Sequence, residues 1–240
     1  MEAYGQDLAY IHDVGYGAFA QNAAPGVLDI IQKTGVDTGL AVDLGCGSGI
    51  WARHLVNAGY DVLGVDISKE MIAIARRRVP EAEFLVESLL DVDLPQCAAV
   101  TSLGECCNYL FDPKNRRTSL RKLFRRIYRA LRPGGVFVFD VAEPGRDHRR
   151  ARHFNQTDDW ACLVEFEEDP RSARLTRHIT TFRKQGKNYR RAEETHVLQL
   201  YKGTELADDL CEIGFKTRIV RSYGDYQLPK NLVGLIARKP

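Results

Sequence analysis

The 240-residue sequence has no long apolar run. Stretches such as Val136-Phe-Val-Phe139 fall far short of the ~20 residues a bilayer-spanning helix needs, so no membrane segment is expected. No apolar core follows the N-terminus, where Glu2 and Asp7 stand, which argues against a secretory leader. No charge excess is present: 34 Lys and Arg against 32 Asp and Glu leave a formal charge of +2. That is too near neutrality to argue for nucleic acid or an anionic membrane as partner. Metal-site spacing is missing as well. The six cysteines, Cys46, Cys97, Cys106, Cys107, Cys162 and Cys211, form no CxxC pair and no cluster with histidine, so no metal site is expected. They read as reduced thiols of a cytoplasmic protein, with Cys106-Cys107 at the end of a buried strand. Repeats and low-complexity segments are also lacking.

What is present is an ordinary globular composition, 44% hydrophobic and 28% charged, at a length that suits one domain carrying an insertion. Pro25 to Gln32 reads as a helix with the proline in its first turn and Gly35 as its stop. Leu40 to Leu44 reads as a buried strand running into glycines, and Ile50 to Ala58 as a helix closed by Gly59. Tyr60 to Asp66 is a second strand. Ser68 caps a helix that ends at Val79-Pro80. Strands follow at Glu83 to Glu87 and Ala98 to Leu103. Asp112-Pro113 opens a helix with Leu120, Leu123, Phe124, Ile127, Tyr128 and Leu131 on one face. Arg121, Lys122, Arg125, Arg126 and Arg129 lie opposite, as expected of an outer face in solvent. Pro133-Gly134-Gly135 ends this helix before a strand from Val136 to Val141.

Such alternation implies a parallel sheet covered on both faces. The pattern changes after Pro144. Residues Gly145 to Asn155 are polar and basic and read as an exposed loop. Trp160 to Glu167, Arg174 to Lys184 and Tyr189 to Tyr201 then read as an antiparallel meander. Thr204 caps a last helix ending at Gly214, and two closing strands follow near Lys216 to Tyr223 and Asn231 to Ala237.

The first strand ends in Asp43-Leu-Gly45-Cys46-Gly47-Ser-Gly49. Glycines there let a backbone approach a ligand closely, at the N-terminus of the next helix. In a nicotinamide-binding loop the third glycine would stand where Ile50 stands. The glycine loop with Asp43 before it resembles the first motif of class I S-adenosylmethionine-dependent methyltransferases. Gly64-Val-Asp66-Ile67-Ser68 resembles their second motif, in which an acidic residue accepts hydrogen bonds from the ribose and Ile67 packs on adenine. Asp66 lies within the roughly twenty-residue separation of such a βαβ unit. Phe84 to Leu89 resembles the third motif, with Ser88 where many relatives carry Asp. Ser102-Leu103-Gly104-Glu105 resembles the fourth, and Leu131-Arg-Pro-Gly-Gly135 recurs in the family.

The resemblance implies an α/β fold, a Rossmann-like seven-stranded methyltransferase sheet with an inserted antiparallel β lid, forming a single domain over 1–240. Within it, 1–35 is an N-terminal helical cover, 36–144 the cofactor-binding core, 145–202 the β-meander lid over the substrate, and 203–240 the closing helix and two strands. The implied cofactor is S-adenosyl-L-methionine, held by Tyr16, Asp43, Gly45, Cys46, Gly47, Gly49, Asp66, Ile67, Ser88, Leu89, Leu103 and Gly104. The implied partner is a small-molecule methyl acceptor with a nitrogen or oxygen nucleophile, in a monomer or homodimer. The segment Tyr10-Ile-His12-Asp13 and Tyr16 resembles the Tyr-Asp cover of small-molecule methyltransferases. Strand alternation puts Glu194, His196, Leu198 and Leu200 on one face of the meander, and with Glu105 the first two are the candidate bases. Arg146, His148, Arg149, Arg150, Arg152 and His153 form either a substrate-anion site or a solvated loop. Three alternatives stay open: an NAD(P)-dependent oxidoreductase, a nucleic-acid methyltransferase, and a cofactor-binding protein without catalysis.

Overall fold

The computed structural model describes residues 3–145 and 151–240. Helices α1 (Gln6–Gly15) and α2 (Ala18–Gln32) precede an alternating core: β1 (Gly39–Leu44), α3 (Ile50–Asn57), β2 (Tyr60–Asp66), α4 (Lys69–Arg78), β3 (Glu83–Val86) and β4 (Cys97–Ser102). A 3-10 turn (Cys106–Asn108), α5 (Arg117–Ala130) and β5 (Leu131–Ala142) complete the βα order. Next come β6 (Ala151–Gln156), β7 (Trp160–Asp169), β8 (Arg174–Gln185) and β9 (Asn188–Gln199). The chain closes with α6 (Gly203–Ile213), β10 (Lys216–Val220), the short hairpin β11 (Ser222–Tyr223) and β12 (Tyr226–Gln227), and β13 (Leu232–Arg238).

The main sheet has the order β10-β13-β5-β4-β1-β2-β3. Strands β1 to β5 run parallel, and β13 runs antiparallel to both β5 and β10. Period-two side-chain direction builds a core on each face. Phe137, Phe139 and Val141 of β5 meet Leu120, Leu123, Phe124 and Ile127 of α5. Val136 and Val138 join Val27, Ile31, Trp51, Leu55 and Ile72 from α2, α3 and α4. Each such fully buried side chain contributes about 1.5–3 kcal/mol. Strand order reverses between β1 and β4, and a crevice opens beyond their carboxyl ends. A separate antiparallel sheet, β6-β7-β8-β9, stands over that crevice. No helix of the described residues is long and apolar enough to cross a membrane.

Several elements differ from the sequence-based expectation. Helix α2 begins at Ala18 and carries Pro25 in its interior. The helix-forming alanines 18, 20, 23 and 24 carry it through the one hydrogen bond the proline cannot donate. Helix α5 starts at Arg117, not Asp112, whose Oδ1 instead accepts Lys114 N in a turn. Its basic face is not simply solvated: Arg121 pairs with Asp209 and Glu212, and Arg126 donates to the carbonyls of Leu89 and Leu90. Pro133 and its two glycines lie inside a bulged start of β5 and do not separate it from α5. Helix α6 is capped by Lys202, and Glu143 Oε1 accepts Gly203 N in place of the expected Thr204 cap. Cys106 and Cys107 belong to the 3-10 turn past the strand end. Residues 151–156, expected as loop, form β6 with Arg152 and His153 on it, because they pair with β7 over their whole length. Arg146, His148, Arg149 and Arg150 lie outside the described residues.

Candidate active site

A cavity of about 410 Å³ fills the crevice, within the size range of small-molecule sites. Its floor is the glycine loop. Gly45 and Cys46 N–H groups donate to Val65 O at 2.7 and 3.0 Å, which pins the loop against β2. Gly45 has φ +78, and a Cβ there would fall on the side chain of Cys106. Gly47 has φ +53, and a Cβ there would meet nothing within 4 Å. Because Gly47 lines the cavity, that free space is space for a ligand.

Asp66, at the end of β2, accepts Gly47 N at 2.9 Å through Oδ2 and Ser68 N at 2.8 Å through Oδ1. Burial pushes its pKa up, while these backbone donors oppose the shift. Asp43 ends a buried relay in which Trp51 Nε1 donates to Thr101 Oγ1 and Thr101 Oγ1 donates to Asp43 Oδ1, both at 2.9 Å. Burial pushes Asp43 up to about 7. Ser88, which resembles a position often held by Asp, does not lack a carboxylate neighbour: its hydroxyl donates to Asp112 Oδ2 at 2.6 Å. Ser88 and Asp112 both line the cavity, so the loop before α5 supplies the acid that β3 does not.

The fourth motif is shaped from beneath by Asp140 on β5, which is fully buried. Its carboxylate accepts Gly104 N and Glu105 N, whose residues have φ +88 and +65. Left-handed backbone at the non-glycine Glu105 costs about 1–2 kcal/mol, and the Asp140 contacts hold it. Glu105 is thereby aimed at Arg177 of β8, with Oε2 2.6 Å from Nη2 and both side chains mostly buried. Arg177 Nη1 also donates to Tyr109 Oη at 2.6 Å, and the guanidinium lies against the rings of Tyr109 and Phe166. Its Nε is buried and unpartnered.

The roof comes from the N-terminus. Helix α1 packs Leu8 and Ile11 on Trp160, Cys162 and Ile179 of the lid sheet. Asp7 is clamped by Arg183 and Arg190, and the Arg190 hydrogen bond holds its carboxyl below the usual range. On the core side, Arg78 Nη1 donates to Asp13 Oδ1 and Ser48 O, both at 2.6 Å. Tyr4, at φ +49, is fixed by Ser68 Oγ donating to its carbonyl at 3.1 Å and by a 3.2 Å hydroxyl contact with Tyr109. His12 forms cavity wall, its Nδ1 has no partner, and burial lowers its pKa to about 4, so its imidazole is neutral at pH 7.

All but one of the residues expected to hold the cofactor line this cavity: Tyr16, Asp43, Gly45, Cys46, Gly47, Asp66, Ile67, Ser88, Leu89, Leu103 and Gly104. Gly49 lies outside it, where a Cβ would press on Ala75 of α4 at 3.1 Å, so it serves helix packing. Of the candidate bases, Glu105 lines the cavity. His196 and Glu194 do not: His196 is buried behind the rings of Tyr4 and Phe111, at 4.9 and 4.7 Å between centroids. Its Nε2 lies 2.9 Å from Glu194 Oε2, and Glu194 Oε1 accepts Gly5 N at 2.9 Å. Sequence reasoning missed Arg177, Tyr109, Phe111 and Asp112. Tyr109 and Phe111 stand two apart directly after the fourth motif, a spacing that lets an extended segment turn both rings to one side. The wall carries five carboxylates, Asp43, Asp66, Glu87, Glu105 and Asp112, against one guanidinium. That balance suits a ligand with positive charge, as a sulfonium donor with an α-amino group has, and disfavours a pyrophosphate.

Comparison with known proteins agrees with this geometry. A family model described as "Methyltransferase domain" (Methyltransf_25) matches residues 41–135. The chain is 25% identical over 207 residues to "Putative methyltransferase YqeM" of Bacillus subtilis (strain 168), covering 81% of each. Its fold is similar to an S-adenosylmethionine-dependent methyltransferase from Clostridium acetobutylicum ATCC 824, with TM-score 0.82 and 18% identity, over 96% of this chain and 97% of that one. It is also similar to CalS10, an amino pentose methyltransferase from Micromonospora echinaspora solved with S-adenosylmethionine bound, with TM-score 0.78 and 18% identity, over 100% and 99%.

Proposed function

From the size and lining of its cavity we propose that this chain, which belongs to the class I S-adenosylmethionine-dependent methyltransferases, methylates a small molecule on nitrogen or oxygen. The observation that carries the proposal is the roof. Tyr4 and His12 from the N-terminus, Tyr109 and Phe111 from the loop after β4, and Arg177 from the lid close on one end of a cavity whose other end is the glycine loop and Asp66. A space of this size suits a sugar, an amine or a phenol. The amino pentose activity in the name of CalS10 supports a nitrogen acceptor as the first to try.

Bound S-adenosylmethionine supplies an electrophilic methyl group with sulfur as a good leaving group. Asp66 and the Gly47 backbone would hold its nucleoside end, and Ser88 with Asp112 the adenine. The chain's own task is alignment and exclusion of water, effects worth several kcal/mol through proximity. Arg177 and Tyr109 orient the acceptor by hydrogen bonding. His12, with a pKa near 4, is too weak a base to strip a proton from an ammonium group efficiently. It therefore acts as a neutral hydrogen-bond acceptor that turns an N–H or O–H and leaves the lone pair free for attack. Glu105 holds Arg177 in place. His196 and Glu194 are positioning residues, since they fasten Tyr4 and Gly5 over the cavity.

Incubating the protein with methyl-labelled S-adenosylmethionine and size-fractionated cell extract tests the proposal. The label is expected in the fraction below a 3 kDa filter, by mass spectrometry on an amine or hydroxyl (about 3 kDa being a cut-off that passes any drug-sized acceptor a cavity of this size can hold). Label confined to RNA or protein would overturn it.

A further inference from the structure

A second cavity, of about 720 Å³, lies on the other side of the loop that carries Tyr109. Two helices begin at it: α5 with N-cap Arg116, which has no side-chain cap, and α6 with N-cap Lys202, whose Gly203 N–H is taken by Glu143 Oε1. The first-turn N–H groups of α5 left unpaired by the helix itself, together with its positive dipole end, favour an anion at such a place. Side chains reinforce this. Arg116, Arg117, Arg174 and Lys202 line the cavity against the single carboxylate of Glu205. Arg117 is taken up by Asp209 at 2.8 Å and Glu205 at 3.0 Å, and Lys202 lies 3.8 Å from Glu205. Arg116 and Arg174 form no ion pair among the described residues. Two buried polar atoms in the wall are also unsatisfied: the hydroxyl of Tyr201 and Oδ1 of Asn115, in residues 7% exposed. The Tyr201 hydroxyl lies within the field of Arg117. A buried hydroxyl without a partner costs about 1–3 kcal/mol, a penalty that a ligand oxygen would relieve.

We propose that this second cavity binds the phosphate or diphosphate group of a small molecule. The α5 N-terminus cradles it, Arg116 and Arg174 neutralise it, and the Tyr201 hydroxyl donates to it. A free helix end with two uncommitted guanidinium groups matches a multiply charged tetrahedral anion better than a single carboxylate, because several donors converge on several oxygens. Asn115 belongs to the walls of both cavities, and its Nδ2 donates to Cys107 O at 3.0 Å and Tyr109 O at 2.7 Å. Occupancy of the second cavity therefore bears directly on the segment that presents Tyr109 to the first.

The site does not depend on the identity of the methyl acceptor, and calorimetry on the full chain separates the two. Inorganic pyrophosphate is titrated into wild type, the Arg116→Ala/Arg174→Ala double variant and Tyr201→Phe, each also titrated with S-adenosylhomocysteine. Saturable pyrophosphate binding is expected in wild type, weaker by about tenfold or more in the double variant and severalfold in Tyr201→Phe (each lost charge-assisted contact being worth roughly tenfold). S-adenosylhomocysteine affinity is expected to stay within about twofold in all three, because none of the substituted residues lines the first cavity. No saturable pyrophosphate binding, equal binding in the variants, or equal affinity for citrate at the same ionic strength would overturn the assignment.

Discussion

Replacing Gly47 by alanine separates the glycine loop's role in binding from its role in folding. The backbone there has φ +53, so an alanine pays about 1–2 kcal/mol for a left-handed conformation. For a chain of this length that corresponds to a fall in Tm of roughly 2–8 °C. Nothing lies within 4 Å of the new Cβ, so no protein atom need move. Gly59→Ala is the matched control: φ is +90, nothing lies within 4 Å, and the residue is not part of the cavity. The two variants should lose similar stability in thermal unfolding. They should differ in calorimetry with S-adenosylhomocysteine. The Gly47 methyl occupies ligand space, and affinity should fall about tenfold or more, a loss of at least ~1.4 kcal/mol. Gly59→Ala should bind within about twofold of wild type. Unchanged binding in Gly47→Ala, or equal weakening in both, refutes the idea that the ligand lies against this backbone.

Arg177→Ala should raise the acceptor KM severalfold or more, with S-adenosylhomocysteine affinity unchanged, because Arg177 belongs to the acceptor end and forms the ion pair with Glu105 there; initial-rate kinetics and calorimetry together check this. His12 titrates near 4 in the folded chain and near 6.5 when unfolded, so between those pH values the unfolded state binds more protons and stability falls as pH drops. Asp43 and Asp140, both raised to about 7, slope the other way, so the test is the difference in Tm between wild type and His12→Gln, which should shift against wild type as pH falls from 6.5 to 4. Asp7 has a depressed pKa, so its contribution is present above about pH 4 and lost as pH falls through the folded value. Asp7→Asn should therefore free α1 for limited proteolysis at pH 7, and the gap from wild type should close in acid.

The core was legible because its signals are local. Tyr60 to Asp66 is a largely apolar run that forms a buried strand ending on an acid, and Ser68 caps the next helix through an Oγ that accepts Met71 N at 3.2 Å. The cofactor end could be read from Gly45, Gly47 and Asp66 for the same reason: one βα unit contains them. The acceptor end was much less legible, since its residues come from three distant segments. Arg177 looks like any strand arginine until β8 is laid over Tyr109 and Glu105. Period-two alternation did find that Glu194, His196 and Leu198 share a face, but it could not reveal that the rings of Tyr4 and Phe111 stand between that face and the cavity. Pro25 misled because proline opens helices more often than it sits within them, and here the surrounding alanines outweigh one missing bond.

The central claim is that Asp66 and the glycine loop hold an S-adenosylmethionine-type ligand and not a dinucleotide. Calorimetry of the wild-type chain and Asp66→Ala with S-adenosylhomocysteine, and with NADH in parallel, tests it most directly. The account predicts saturable one-to-one binding of S-adenosylhomocysteine, a loss of about 10- to 150-fold in Asp66→Ala from hydrogen bonds to a charged acceptor worth ~1.5–3 kcal/mol, and no NADH binding. Saturable NADH binding, or S-adenosylhomocysteine affinity indifferent to Asp66, would contradict it.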